Sequence, residues 1–392
     1  MRDSLAGVEG RELVPVVAVL ATRQRGDDVA DSLAALRQQT YGSLRILVAC
    51  DNIDSESIRD LTSREASPSE VVCEVAGGSL PDVANEATGL VEGDNGLFWF
   101  VEAGTIPEPD ALKHLVDELL QSNAGIVGPK IVHLAERTRV QAVGIAVDRL
   151  GERVGPLDLD EIDQEQHDRV RDVLAVDVSG MLVRADLFRR LGGFASHLAN
   201  GIADIDLCWR AHYAGARVVV VPDAVIARPQ SFVLNLVEER QRSQTQFARD
   251  QLDTALVSVS ARQFPLRVLQ ILAVSLLQIV IGIFLGATGQ PARRLRVLLS
   301  LPLRSRSLRG RRRQMEAIRS VSDADVLPFL HPISNRLISS LRSRDDDIVV
   351  TSGAPVIRQR ERTYGPTLAW FLIALGILIG SREFIRSGVC CR

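Results

Sequence analysis

At 392 residues, 46% hydrophobic and 24% charged, the chain is long enough for one large globular domain and additional segments. A net charge of −3 lacks the basic excess that neutralises phosphates, which argues against a wholesale nucleic-acid binder. Cys50, Cys73, Cys208, Cys390 and Cys391 form no CxxC spacing, so a zinc framework is not expected and a reducing cytoplasm fits better than a disulfide scaffold. No charged and then apolar leader opens the chain, so the first domain is expected on the cytoplasmic side.

Residues 1–12 read as a loose tail. From there, short runs rich in Val, Ile and Leu alternate with helix-period segments, the βαβ pattern of a parallel sheet. Strands are expected at 16–21, 44–50, 71–75 and 97–101. Helices are expected at 28–39, where Val29, Leu33 and Leu36 share one face, and at 81–91 and 109–121, each opening on a proline. Residues 140–148 and 216–221 complete the sheet, the latter as a buried strand without polar alternation after Arg217. The expected class is α/β, a mostly parallel Rossmann-like sheet flanked by helices.

Ligands of open parallel sheets sit beyond the carboxyl ends of the strands, which gives weight to Asp51 after the second strand, Glu102 after the fourth, and Asp204 before the last. Each also has a purely local explanation. Asp51 can open a turn, Glu102 can be a solvated loop acid, and Asp204 can cap the helix through Leu207, Trp209 and Arg210.

Taken in order, the motifs over roughly residues 14–230 resemble the family 2 glycosyltransferases of the GT-A fold. LAALRQQTYGSLRILVACDN is similar to the family's first helix, its Gln-Thr-Tyr turn and a strand ending in a uracil-contacting Asp, here Asp51; the usual following Gly is Ile53. FWFVEAGTIPEPDAL is similar to the metal-binding strand end, but Glu102, Ala103 and Gly104 stand where consecutive aspartates are usual. The segment DEIDQEQHDRVRDVLAVDVSGMLVRADLFRRLGGF resembles large actinobacterial members, with Gln164, Gln166, His167 and Gly180 matching. GIADIDLCWRAHYAGARVVVVPDAVIAR matches the acidic catalytic motif, with Ala203 in place of a Glu, Asp204 at the base position and Arg228 in place of the closing His.

The resemblance implies a nucleotide-sugar donor, a UDP- or dTDP-sugar, held by Asp51, Asn85, Glu102 and Gly104. It implies a glycan or lipid-linked acceptor of the cell envelope near Gly180, Met181, His167, Asp206 and Trp209, although Trp209 also fits a core position and His167 an ordinary loop. In this chemistry a carboxylate, here Asp204, takes the acceptor proton as the hydroxyl attacks the anomeric carbon from the face opposite the nucleotide, with inversion. Leaving-group charge is ordinarily met by Mg or Mn, for which the expected ligands are missing, so Arg228 is the candidate substitute. The same losses fit an inactive GT-A protein that holds nucleotide or acts as a scaffold. Gln246 and Arg249 sit in a Gln-x-x-Arg-Trp-like pattern of processive synthases, but Asp250 replaces the Trp, which points to single addition.

After residue 262 the composition changes. Residues 268–288 are nearly continuous apolar sequence, within an expected membrane-embedded or re-entrant segment over 263–289; a shorter apolar run at 367–380 lies within 364–392, read as a short transmembrane helix and tail. Between them, 290–363 reads as an Arg-rich linker, with nine arginines from Arg293 to Arg313 and no acid among them, facing anionic membrane lipids on the cytoplasmic side. The transferase domain is expected over 13–262.

Overall fold

The computed structural model describes residues 13–22, 26–51, 70–75, 80–154, 160–199, 201–285, 289–331, 348–351 and 354–357. The loose tail at 1–12 and the apolar run at 367–380 lie outside them. In chain order the strands are β1 (Val16–Thr22), β2 (Leu44–Asp51), β3 (Glu70–Val75), β4 (Leu97–Glu102), β5 (Ile106–Pro107), β6 (Ile126–His133), β7 (Arg139–Val143), β8 (Val147–Asp148), β9 (Glu161–Ile162), β10 (Arg171–Asp172), β11 (Leu182–Arg184), β12 (Val218–Arg228), β13 (Leu330–His331), and β14 (Ile348–Thr351) and β15 (Ala354–Ile357), which pair with each other. The helices are α1 (Gly26–Arg37), α2 (Leu80–Gly89), α3 (Ala111–Gln121), α4 (Ala185–Arg190), α5 (Ala203–Tyr213), α6 (Gln230–Arg242), α7 (Gln244–Ser258), α8 (Phe264–Leu285), α9 (Gly289–Leu299), α10 (Leu301–Ile318) and the single turn α11 (Asp323–Val326).

Among the described residues one sheet of eleven strands runs β10-β12-β6-β11-β4-β1-β2-β3, with β5, β7 and β9 attached at its side. β1 pairs in parallel with both β2 and β4, β2 with β3, and β12 with β6, so the sheet is parallel through its long strands. Short β11 enters antiparallel between β4 and β6. The expected α/β class therefore holds, with a mixed sheet consistent with the GT-A fold.

The apolar periodicity explains which faces are covered. Leu33 and Leu36 of α1 and Leu112, Leu115 and Leu119 of α3 pack on Val16, Leu20, Val48, Trp99, Val127 and Ile226 of the sheet in one buried cluster. Across the sheet, Phe98 and Phe100 meet Phe188 and Phe194, with Phe100 and Phe194 centroids 4.9 Å apart edge to face.

Two expectations change. Residues 140–148 are not one strand: β7 joins the main sheet, and β8 instead pairs with β13. The long strand β6 was not foreseen because Gly128–Pro129 interrupts it. Pro129 sits where both ladders of β6 are irregular: it faces Val221 of β12 just before that register shifts, and the other neighbour changes from β11 over Ile126 and Val127 to β7 from Lys130 onward.

The described residues of Met1–Phe264 with Leu303–His331 form one unit, and those of Pro265–Pro302 with Pro332–Arg392 a second. Part of the span expected to be linker thus belongs to the first unit, as the arginine-rich helix α10. Most of α8 belongs to the second, where it carries exposed Leu266, Leu269, Leu276 and Leu277 on one face. Among the described residues no helix is long and apolar enough to cross a membrane.

Candidate active site

Three carboxyl groups converge at the carboxyl ends of β4 and β12. Glu102 closes β4, Asp177 lies on the approach to β11, and Asp204 stands in the first turn of α5. All three line a cavity of about 290 Å³. Their environments drive them apart. Burial, and then the negative charge of Asp177, push Glu102 up to about 8, although the Ser179 hydroxyl donates to its Oε2. Burial, and again Asp177, push Asp204 up to about 7 against the Ile205 N–H that its Oδ1 accepts at 2.8 Å. Burial pushes Asp177 up as well, but Arg228 and Arg153 outweigh it, helped by the Ser179 N–H at 3.0 Å, and its carboxyl ends below the usual range. At neutral pH one carboxyl therefore holds its proton, one is ionised, and one is poised between the two.

Arg228, at the end of β12, is 1% exposed. Its Nη1 lies 3.0 Å from Asp177 Oδ2, its Nε donates to Gln141 Oε1, and its guanidinium sits 4.7 Å over the Phe232 ring. It is enclosed behind the carboxylates and is not on the cavity wall. Gly180 is held in the turn before β11 at φ +103°, where a Cβ would come within 2.4 Å of Ile226 and 2.6 Å of Pro129. That turn aims Ser179 at Glu102.

The other residues singled out in the sequence fall in several places. Asp51 ends β2. Gly104, at φ +89°, turns the chain after β4, its N–H shared by the Ser32 hydroxyl at 2.9 Å and Asp28 O at 3.1 Å. Asn85 on α2 grips the loop beyond α4, accepting from Phe194 N at 2.8 Å and donating to Phe194 O at 2.8 Å, and so holds the segment carrying Ser196 and His197 on the cavity wall. Met181 is core, with no exposure. Trp209 is core as well, on the inner side of α5. Asp206, one turn into α5, binds Arg210 at 2.8 Å rather than facing the cavity. His167 lies on an outer loop, with Nε2 3.4 Å from Glu161, and that loop is anchored by Lys130, 2.8 Å from Asp163 and 2.9 Å from Asp168. Gln246 does line the cavity, and Asp250, which replaces the expected Trp, accepts the Ala199 N–H at 3.1 Å and secures the same loop from beneath.

Sequence reasoning missed Asp177, Ser179, Arg153 and Arg240. Asp177 carried a signal, standing two residues before the Ser-Gly turn at a strand end. Arg240 carried none, because an arginine in the last turn of a helix reads as solvated.

The donor set does not fit Mg or Mn. Ala103 and Gly104 offer no side-chain oxygen, and Asp177 is bound to Arg228. Among the described residues no group of three or more His, Cys, Asp or Glu is placed to hold a metal ion.

A family model, glycosyltransferase like family 2, matches residues 15–263. The chain belongs to this family. The pre-mycofactocin glycosyltransferases of two Mycobacterium tuberculosis strains, CDC 1551 / Oshkosh and ATCC 25618 / H37Rv, are each 29% identical over 144 residues, 36% of this chain. The match spans 28% of the length of these curated relatives. Among solved structures, GalNAc-T7 with UDP, GalNAc and Mn2+ aligns at TM-score 0.49 and 12% identity, covering 63% of this chain and 48% of that one. Mannosyltransferase PcManGT from Pyrobaculum calidifontis, in complex with GDP-Man and Mn2+, aligns at 0.45 and 15%, covering 74% and 87%.

Proposed function

We propose that this family 2 domain moves a sugar from a UDP- or dTDP-sugar to an acceptor hydroxyl by single displacement with inversion, Asp204 acting as general base. The observation that carries this is the Asp204 carboxyl on the cavity wall, pushed to about 7 by burial and Asp177, a proton affinity matched to taking a hydroxyl proton near neutral pH. Single displacement is supported by the state of the neighbours. A covalent glycosyl intermediate needs a second ionised carboxylate free to attack, whereas Glu102 holds its proton and Asp177 is engaged by Arg228 and the Ser179 N–H. Phe194, Leu198 and Leu236 give the wall an apolar part of the kind that sugar rings pack on, which supports a glycan or lipid-linked glycan as acceptor.

Asp204→Asn keeps the shape of the side chain but cannot accept the proton. Transfer should fall by roughly 10²–10⁴-fold while nucleotide affinity is retained. In the parent, kcat/KM should rise with pH through about 7, because the base must be ionised, and the variant's residual activity should lose that limb. Steady-state kinetics over pH 5–9 check both. A residual rate within threefold of the parent, or a parent that binds nucleotide and turns over no donor, would reject the assignment.

A further inference from the structure

Two positive charges on the cavity wall lack a close ion-pair partner, although Asp177 and Asp204 act on Arg153 from further off. Arg153, just beyond β8, and Arg240, in the last turn of α6, both line it, and among the described residues neither has a carboxylate within ion-pair distance. They differ in this from Arg228, whose charge is met by Asp177 at 3.0 Å. Arg240 is held in place by Phe247, whose ring centre lies 4.5 Å beneath its guanidinium, so its fork is presented with little freedom left to lose. Burial lowers the pKa of both arginines, and each still stays protonated at any physiological pH. The two are also close enough for the charge of Arg240 to disfavour that of Arg153.

The wall also carries the carboxyls of Glu102, Asp177, Asp204 and Glu239. Glu102 is protonated, Asp177 is neutralised by Arg228, and Asp204 is only partly ionised. Among the described residues none of these carboxyls lies within ion-pair distance of either guanidinium, so both forks face one concavity open to an anion.

We propose that Arg153 and Arg240 form a guanidinium cradle for the diphosphate of the nucleotide-sugar, taking the place a divalent cation has in relatives with an acidic strand end. Planar guanidiniums bind phosphate oxygens through paired N–H donors. The site where an anion fits is thus adjacent to the base. This rests on the transferase reading above and gives it a metal-free leaving-group step. The acceptor O–H breaks and its proton passes to Asp204; the oxygen forms the bond to the anomeric carbon. The bond from that carbon to the β-phosphate oxygen breaks, and its electron pair leaves on the diphosphate, where the two guanidiniums meet the added negative charge.

The test is calorimetric titration of the full chain with UDP, dTDP, uridine and inorganic pyrophosphate, each in EDTA and in Mn2+. UDP or dTDP should bind in EDTA with affinity within threefold of that in Mn2+, and pyrophosphate should compete. Arg153→Gln and Arg240→Gln should each weaken nucleoside diphosphate binding at least tenfold and the pair at least fiftyfold, with uridine affinity unchanged, which also reports that the variants are folded. Arg240→Lys, which keeps the charge but loses the fork, should fall between. Binding that requires Mn2+, or that is unchanged in the double variant, overturns the cradle and leaves the transferase reading intact. No binding of any nucleotide under either condition removes the transferase reading itself.

Discussion

The arginines of α10 and those of the cavity were indistinguishable in the sequence, and the fold has put them to opposite uses. From α10, Arg304 reaches Asp253 at 2.5 Å, Arg311 approaches Asp206 at 3.9 Å and Asp253 at 4.0 Å, and Arg312 donates to Leu256 O with its guanidinium 4.5 Å over Phe264. Just past the helix, Arg319 binds Asp323 at 2.8 Å and Ser258 O at 2.7 Å and stacks 4.0 Å over Tyr213. These side chains close α10 onto α5 and α7. Among the described residues Arg153 and Arg240 make no such pairs. Whether an arginine is architecture or site is decided by whether a carboxylate was folded in beside it, and composition cannot reveal that.

The comparison breaks most readily at Arg228, which stands between the two groups, close to the chemistry but fully paired. Arg228→Ala leaves Asp177 buried without its partner, a change that typically costs about 3–5 kcal/mol. Melting should drop by roughly 2–4 °C for each kcal/mol in a domain of this size. A loss below about 1 kcal/mol in urea titration would show that Asp177 finds another cation, and would return Arg228 to the list of groups free to meet a ligand.

Arg304→Ala tests the architectural side and should do less. Asp253 keeps Arg249 at 3.9 Å and Arg311 at 4.0 Å, so the loss should be near that of one hydrogen bond to a charged group, about 1.5–3 kcal/mol. UDP affinity of the folded variant should be unchanged, the reverse of the pattern expected for Arg240→Gln. Calorimetry beside urea titration separates the two, and a tenfold affinity loss in Arg304→Ala would erase the distinction.

Much of this was legible where local signals and fold agree. The run expected at 97–101 is Leu97–Glu102, and the helix expected at 28–39 is Gly26–Arg37, because apolar periodicity dictates which side chains must be buried. The place of Asp204 at a helix start was legible as well, since its acidic motif stands just before a buried strand. The failures have physical causes. β11 is three residues long, too short for any pattern, and β6 hides behind Gly128–Pro129. Arg228 stands where the resemblance expects a closing His, and its partner Asp177, 51 residues away, left no local trace in the sequence. The burial of Arg153 and Arg240 arises only when α6 and α7 fold beside the strand ends.

The smallest effect concerns Glu102, whose protonation removes one negative charge from the cavity wall. Its folded value, about 8, lies above its ordinary 4.5, so the folded chain binds the proton more tightly than the unfolded one. The stability this contributes is complete below about pH 4.5 and is lost as pH rises through about 8. Glu102→Gln keeps a neutral side chain at every pH and does not share that loss. Relative to the parent, its melting temperature should therefore climb between pH 5 and pH 9, by roughly 2–4 °C for each kcal/mol of relieved burial. Asp204 titrates in both proteins and largely cancels in the difference. A melting difference that is flat over this range, or that falls, would mean Glu102 is ionised at neutral pH. The cavity wall would then carry one more negative charge beside Arg153 and Arg240, and the contrast between paired and unpaired guanidiniums would weaken at the site where it matters for chemistry.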